Sequence, residues 1–178
     1  MAGERNLYRK VQVVLEYAKD AKHRDLESLR NHILNKKPTN FIYYWRDRES
    51  DQIQSGYSEK SIDAVLLLCI DLRLIDGTTF ALTKAGTSAT DARRFPVIVG
   101  KRVSELLESK GLSVEHVSRA IRTILHNTKP SAPTSKEIWN YLQSSDDSVD
   151  LPLFSQLLNL LGQCEVLQVT QKRIFLPL

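Results

Sequence analysis

The sequence predicts a mainly α fold with small β-hairpins (α+β), built as two similar units joined by a helix. Three observations predict it. Apolar residues recur at helical spacing along most of the chain. Segments in which apolar and polar residues alternate, as in strands, are found at only two places. Each of these segments follows a leucine-rich helix. With 178 residues, the chain is long enough for one ordinary domain or two small ones.

Two amphipathic helices open the first unit. Apolar side chains from Leu7 to Ala18 fall on one face of a helix over about residues 5–20. Asp25 is a typical N-cap for a second helix, which we expect to end near Lys36 and Lys37.

The next stretch is less regular. Residues 41–45 are largely aromatic and suit a short strand or turn pinned to the core, while the polar residues 46–57 are typical of a mobile loop. A third helix is predicted from Ser58. Asp76 and Gly77 then lie between alternating segments, which predicts a hairpin over residues 72–86.

The second half repeats this order. Pro96 can open a linking helix that Gly111 ends. The later elements predicted are helices at 113–127, after the capping box 134–137 and after Asp150, then strands at 166–169 and 173–176. The predicted division is a first unit over 1–90, a linking helix over 91–111 and a second unit over 112–178.

This element order resembles that of tandem winged-helix proteins. The resemblance rests on the helix end and hairpin at 72–83 and on the second hairpin at 166–176, and it covers roughly residues 5–86 and 112–178. It implies two winged-helix units, in which the third helix lies in the DNA major groove and the hairpin, or wing, touches phosphates.

Charge permits such a role. The net charge is +4, with 16 basic and 13 acidic side chains in residues 1–95. The candidate nucleic-acid-binding residues are Lys36, Lys37, Arg46, Arg48, Tyr57, Ser58, Lys60, Ser61, Lys84, Lys172 and Arg173. Glu59 and Asp63 oppose a phosphate-lined groove. In the second unit Asp146, Asp147 and Asp150 repel phosphate, which favours a packing or protein-binding role there.

The first functional hypothesis is a non-enzymatic DNA-binding or regulatory protein that uses residues 1–90 on duplex DNA. The alternative is a protein–protein assembly module of the same fold within a larger complex. The apolar linking helix is expected to pack between the units, with a homodimer seam as the other interpretation. An enzyme ranks third.

Several classes of site are not expected. The sequence contains no phosphate-binding glycine loop and no metal or nucleophile motif, and His23, His32, His116 and His126 are scattered. We therefore expect no cofactor, metal or small-molecule ligand. Without a signal peptide or a membrane-spanning run, the prediction is a cytoplasmic protein, associated with the nucleoid or nucleus if it binds DNA.

Overall fold

The structure is a computed structural model, and it describes residues 7–19, 25–47, 49–127, 132–142, 150–170 and 173–175. It is mainly helical, with two small antiparallel sheets of two strands each. The chain divides into two compact units between Phe95 and Pro96, so the predicted linking helix falls almost entirely in the second unit.

Three helices form the centre of the first unit. Its elements are α1 Leu7–Ala18, α2 Leu26–Asn35, β1 Ile42–Arg46, β2 Ile53–Tyr57, α3 Glu59–Asp71 and α4 Lys84–Ala89. Helices α1, α2 and α3 pack on one another, and α4 packs on α1. Leu15, Ile33 and Leu66 are fully buried between them, as the apolar spacing of the sequence predicts.

Helix α2 begins at the predicted cap. The carboxylate of Asp25 accepts a hydrogen bond from the backbone N–H of Ser28 at 2.7 Å, and the Ser28 hydroxyl accepts one from the Asp25 N–H at 3.3 Å. This reciprocal pair satisfies backbone donors that the first turn of a helix leaves unpaired.

The strand alternative predicted for residues 41–45 is confirmed from Ile42 on, and it is one strand of a hairpin that ends at Tyr57. The prediction of a loop over 46–57 is wrong for Arg46 and for residues 53–57, which lie in strands. Strands β1 and β2 pair in register from Ile42 opposite Tyr57 to Arg46 opposite Ile53. The β-branched and aromatic residues at the start of β1 favour a strand. A polar turn closes it, with the Asp47 N–H bonded to the Gln52 carbonyl at 2.9 Å.

The aromatic side chains of β1 are not pinned to the core. Tyr43, Tyr44 and Trp45 are exposed, and only Phe41, in the short 3-10 turn Thr39–Phe41, is buried. A two-stranded sheet has two faces, and both faces of this one carry exposed rings.

The hairpin predicted over residues 72–86 is reduced to one bridge between Ile75 and Leu82. The physical reason is a helix start. The Thr83 hydroxyl accepts a hydrogen bond from the Gly86 N–H at 3.0 Å, so α4 begins at Lys84, where a strand was expected to continue.

The second unit contains four helices and a small hairpin. Its elements are α5 Phe95–Ser109 (from Pro96 on), α6 Val114–Asn127, α7 Ser135–Leu142, α8 Leu151–Gln163, β3 Gln168–Thr170 and β4 Arg173–Phe175. Helix α7 packs on α6 and α8. The predicted capping box is present, since the Glu137 carboxylate accepts from the Thr134 N–H at 2.6 Å. The predicted second hairpin is confirmed by the pairing of β3 with β4.

Helices α3 and α8 have equivalent starts. Ser58 caps α3 by accepting from the Ser61 N–H, and Asp150 caps α8 by accepting from the Leu153 N–H. Counting from each cap, the buried side chains fall at the same positions, among them Leu66 in α3 and Leu158 in α8.

The two helices also end in the same turn. Leu72 and Cys164 are the C-caps, and the residues after them, Arg73 and Glu165, have φ of 52° and 63°. The next N–H in each copy bonds back to a carbonyl five residues earlier, at 2.8 and 2.9 Å. Every such pair is separated by the same number of residues. We call residues 58–75 and 150–167 the helix-and-turn repeat.

Candidate nucleic-acid interface

The start of α3 brings together four of the predicted binding residues. Tyr57 is the last residue of β2, Ser58 is the N-cap, and Lys60 and Ser61 lie in the first turn of the helix. Lys60 is exposed and Ser61 is half-buried.

Both serines of this turn have structural partners. The Ser58 hydroxyl accepts the Ser61 N–H at 3.2 Å, and Nζ of Lys10, on α1, donates to the Ser61 hydroxyl at 2.8 Å. The Lys10 ammonium also lies 5.3 Å from the ring centre of Phe41, and burial lowers its pKa. Ser58 therefore caps α3, and Ser61 joins α3 to α1.

Arg30 of α2 lies among the carboxylates that oppose DNA binding. Its guanidinium donates to the Asp63 carboxylate at 3.0 Å and lies 3.9 Å from that of Glu59. A third carboxylate, that of Glu27, is 3.6 Å away. The hydrogen bond to Asp63 is the main cause that raises the pKa of Arg30. One positive charge within the fold therefore offsets part of the acidic charge beside Lys60, chiefly that of Asp63.

Sequence reasoning did not find Lys10 or Arg30. Both act across elements far apart in the chain, so no local motif marks them. The available signal was weak for Arg30: it directly follows the buried Leu29 and stands three residues before the buried Ile33, so it flanks the inward stripe of α2.

The outward face of α3 is only lightly charged. It presents Lys60, Ala64, Leu67 and Asp71, each three or four residues from the next. Leu67, between the buried Leu66 and Leu68, is 52% exposed.

The remaining candidates of the first unit do not gather at this turn. Arg46 lies four strand positions from Tyr57, about 13 Å along the hairpin, and its guanidinium contacts the Asp51 carboxylate at 2.8 Å. Lys36 is the C-cap of α2, with Lys37 after it at a φ of 51°. Lys84 begins α4.

Three candidates cannot be assigned a side-chain environment. Arg48 and Lys172 lie outside the described residues. For Arg173 the structure describes only its backbone, in β4.

In the described part of the second unit, two polar side chains near the start of α8 have partners within the fold. Asp150 is engaged as the cap of α8, and the Ser155 hydroxyl donates to that of Ser135 at 2.9 Å. Asp146 and Asp147 lie outside the described residues.

The described side chains form no constellation with obvious metal or thiolate chemistry. In the described ranges, no three His, Cys, Asp or Glu side chains are grouped as metal ligands. Burial raises the pKa of both thiols, that of Cys164 to about 12, so neither is a thiolate at neutral pH. None of the helices in the described residues has the length and apolar character needed to cross a membrane.

Comparison of the chain with protein-family models, with curated proteins and with solved structures finds no match.

Proposed function

We propose that this chain is a non-enzymatic DNA-binding or regulatory protein, whose first winged-helix-like unit binds duplex DNA with the start of α3. The observation that carries the proposal is the pairing of Arg30 with Glu59 and Asp63. Those carboxylates were the objection to placing α3 against phosphates, and the pairing offsets part of their charge while leaving the Lys60 ammonium exposed.

Four lysines of the first unit support this role. In the part of the chain that the structure describes, Lys36, Lys37, Lys60 and Lys84 form no salt bridge, and all four are exposed. An unpaired surface lysine can approach a phosphate and release its counterions without first breaking an ion pair. Arg46, by contrast, would have to leave Asp51.

The test is fluorescence anisotropy of mixed-sequence duplex DNA with the full chain over a range of salt concentrations. We expect binding that weakens steeply with salt. Lys60→Ala should weaken it and lower the slope of log K against log salt by about 1, the share of one phosphate contact.

Lys136→Ala is the matched control, because Lys136 is an exposed lysine in the first turn of α7, in the second unit, and forms no salt bridge with the described residues. It should leave both affinity and slope unchanged. No binding at low salt, or an equal loss from Lys136→Ala, contradicts the proposal.

A second candidate function is an assembly module that binds protein rather than DNA. The exposed Leu67 and Ala64 favour it, since they give the middle of α3 an apolar surface. Light scattering of the wild-type chain and of Leu67→Glu over a range of concentrations tests self-association through α3. A concentration-dependent dimer that Leu67→Glu dissolves supports a homodimer, and a monomer at every concentration rejects it.

A further inference from the structure

We propose that one face of the β1–β2 hairpin binds an arginine-containing segment of another protein, with its guanidinium over the rings of Tyr43 and Trp45. This surface is separate from the start of α3, and the proposal does not depend on DNA binding.

The face combines aromatic rings with hydrogen-bond acceptors. Alternation along β1 puts Tyr43 and Trp45 on one side, and the hydrogen bond from the Asp47 N–H to the Gln52 carbonyl extends that alternation to Asp47. The residues that pair with these three lie on the same side of the hairpin. The aromatic face comprises Tyr43, Trp45, Asp47, Gln52, Gln54 and Gly56, none of which is basic.

The rings of Tyr43 and Trp45 are stacked and remain partly exposed, so a ligand can reach them without a rearrangement. Tyr43 and Trp45 stack with ring centres 5.1 Å apart and planes 27° from parallel, and their side chains remain 48% and 42% exposed. Gly56 lies beside both rings: a Cβ there would come within 3.2 Å of Trp45 and 3.5 Å of Tyr43. The glycine therefore leaves room for the stack.

Charge complementarity selects a cation as the occupant. Residues 42–57 carry two arginines and three carboxylates, a net −1 in a chain of net +4. One of the arginines, Arg46, is on the opposite face and is paired with Asp51. Aromatic faces attract cations, and the planar guanidinium of arginine stacks on them better than an ammonium does. A phosphate backbone would meet Asp47 instead.

The fold itself does not require this hairpin. In the second unit only residues 143–149 lie between α7 and the cap of α8, fewer than the 16 residues from Ile42 to Tyr57. The helix-and-turn repeat nevertheless forms in both units. Three aromatic side chains that add nothing to a core, on a hairpin of 16 residues where the other copy has seven, are typical of a binding surface, where Tyr and Trp are enriched.

The probe is a short fluorescein-labelled peptide in which arginine and serine alternate, titrated with the full chain and followed by anisotropy. Its matched control is the same peptide with citrulline, which has nearly the shape of arginine but no charge. We expect the arginine peptide to bind and Trp45→Ala to weaken it by about tenfold. Asp47→Asn, which keeps the rings, should weaken it about two- to fivefold.

Tyr44→Ala is the control variant, because Tyr44 is exposed on the opposite face. It should leave affinity unchanged, as should Lys60→Ala, which separates this proposal from DNA binding. Unchanged circular dichroism and melting of each variant establish that it is folded. Absence of binding, equal binding of the citrulline peptide, or an equal loss from Tyr44→Ala overturns the proposal. So does loss of duplex DNA binding in Trp45→Ala, since the occupant would then be nucleic acid.

Discussion

The two units share a leucine-rich helix and the turn that ends it, but they differ in the elements before and after that helix. In each, a leucine-rich helix starts at a side-chain cap and ends in a turn with one positive φ. The first unit adds the aromatic hairpin before this helix, and only a single bridge, Ile75 to Leu82, after it. The second unit has no room for the first hairpin and places a true pair of strands after the helix.

A glycine from another helix contacts the turn in both units. Gly86 of α4 follows the turn in the chain and lies against the backbone of Leu74. Gly100 of α5 precedes its turn in the chain, and a Cβ there would lie 3.0 Å from a methyl of Val166 and 3.2 Å from Cβ of Cys164. Leu74 and Val166 are equivalent positions of the repeat. The comparison indicates that the helix and turn are the structural constant, while what lies before and after them differs.

The strongest test of this equivalence is the buried leucine shared by the two copies. Leu66→Ala and Leu158→Ala each remove a side chain that is fully buried. Because each leaves a cavity, we expect either change to lower the free energy of unfolding by about 2–5 kcal/mol. Urea denaturation followed by circular dichroism measures it. Leu67→Ala, at a half-exposed position, should cost under about 0.5 kcal/mol. A loss under about 1 kcal/mol at only one of the two buried positions contradicts the equivalence.

The glycine contacts should distinguish the units. A Cβ on Gly86 would collide with the carbonyl oxygen of Leu74, and backbone cannot rotate away. Gly86→Ala should therefore cost about 1–3 kcal/mol. At Gly100 the Val166 methyl can rotate, whereas Cβ of Cys164, at 3.2 Å, is fixed to the backbone but crowds the site far less than the Leu74 carbonyl crowds Gly86. Alanine gains about 1 kcal/mol in helix propensity, so Gly100→Ala should cost less than Gly86→Ala. Thermal melts of both variants give the order. An equal loss at both positions shows that the two turns are packed alike.

What the sequence predicts well is whatever depends on local spacing. Apolar periodicity predicted α1, α2 and α3, and the caps at Asp25 and Asp150 were predicted at the residues where they occur. The third helix was predicted to begin at Ser58, which is its N-cap. These features depend on neighbours within a turn or two of helix, so the sequence contains their cause.

The errors concern segments whose conformation depends on a competing neighbour. Asp76-Gly77 is a good hairpin turn, but the cap at Thr83 draws the following residues into α4. The second strand of the first hairpin, Ile53–Tyr57, was missed because it is polar and exposed and shows no alternation. The rings of β1 were wrongly expected to pack on the core, against their observed exposure. The contacts of Lys10 and Arg30 with α3 depend on tertiary packing, which no local pattern encodes.

Removal of the two N-caps should have a smaller effect on stability, and a similar one in both units. Ser58→Ala and Asp150→Ala each remove one side-chain acceptor from the first turn of an equivalent helix. Each should lower the free energy of unfolding by about 1 kcal/mol. Denaturant titration measures both, and Ser58→Asp should retain most of the wild-type stability. If Ser58→Ala lowers the free energy of unfolding and Ser58→Asp lowers it as much, the Ser58 hydroxyl has a role other than capping the helix.

The turn at Asp76, which directly follows the first helix-and-turn repeat, should contribute stability that depends on pH. The Asp76 carboxylate accepts hydrogen bonds from the backbone N–H groups of Thr79, at 2.7 Å, and Thr78, at 2.9 Å. These bonds, with that from Thr79 first, hold the pKa of Asp76 below its ordinary value of 3.8.

Because the pKa of Asp76 is lower in the folded chain than in the unfolded chain, the Asp76 carboxylate stabilises the fold at pH values above 3.8. This stabilisation is lost as the pH falls through the pKa of the folded state. An NMR titration should give Asp76 a midpoint below 3.8. Near neutral pH, Asp76→Asn should be less stable than the wild-type chain, and in acid the two should converge. The residues between β3 and β4 are Gln171 and Lys172, neither a carboxylate, so Gln171→Asn should show no such convergence. A midpoint at or above 3.8 would mean that the backbone donors of this turn do not hold the charge of Asp76.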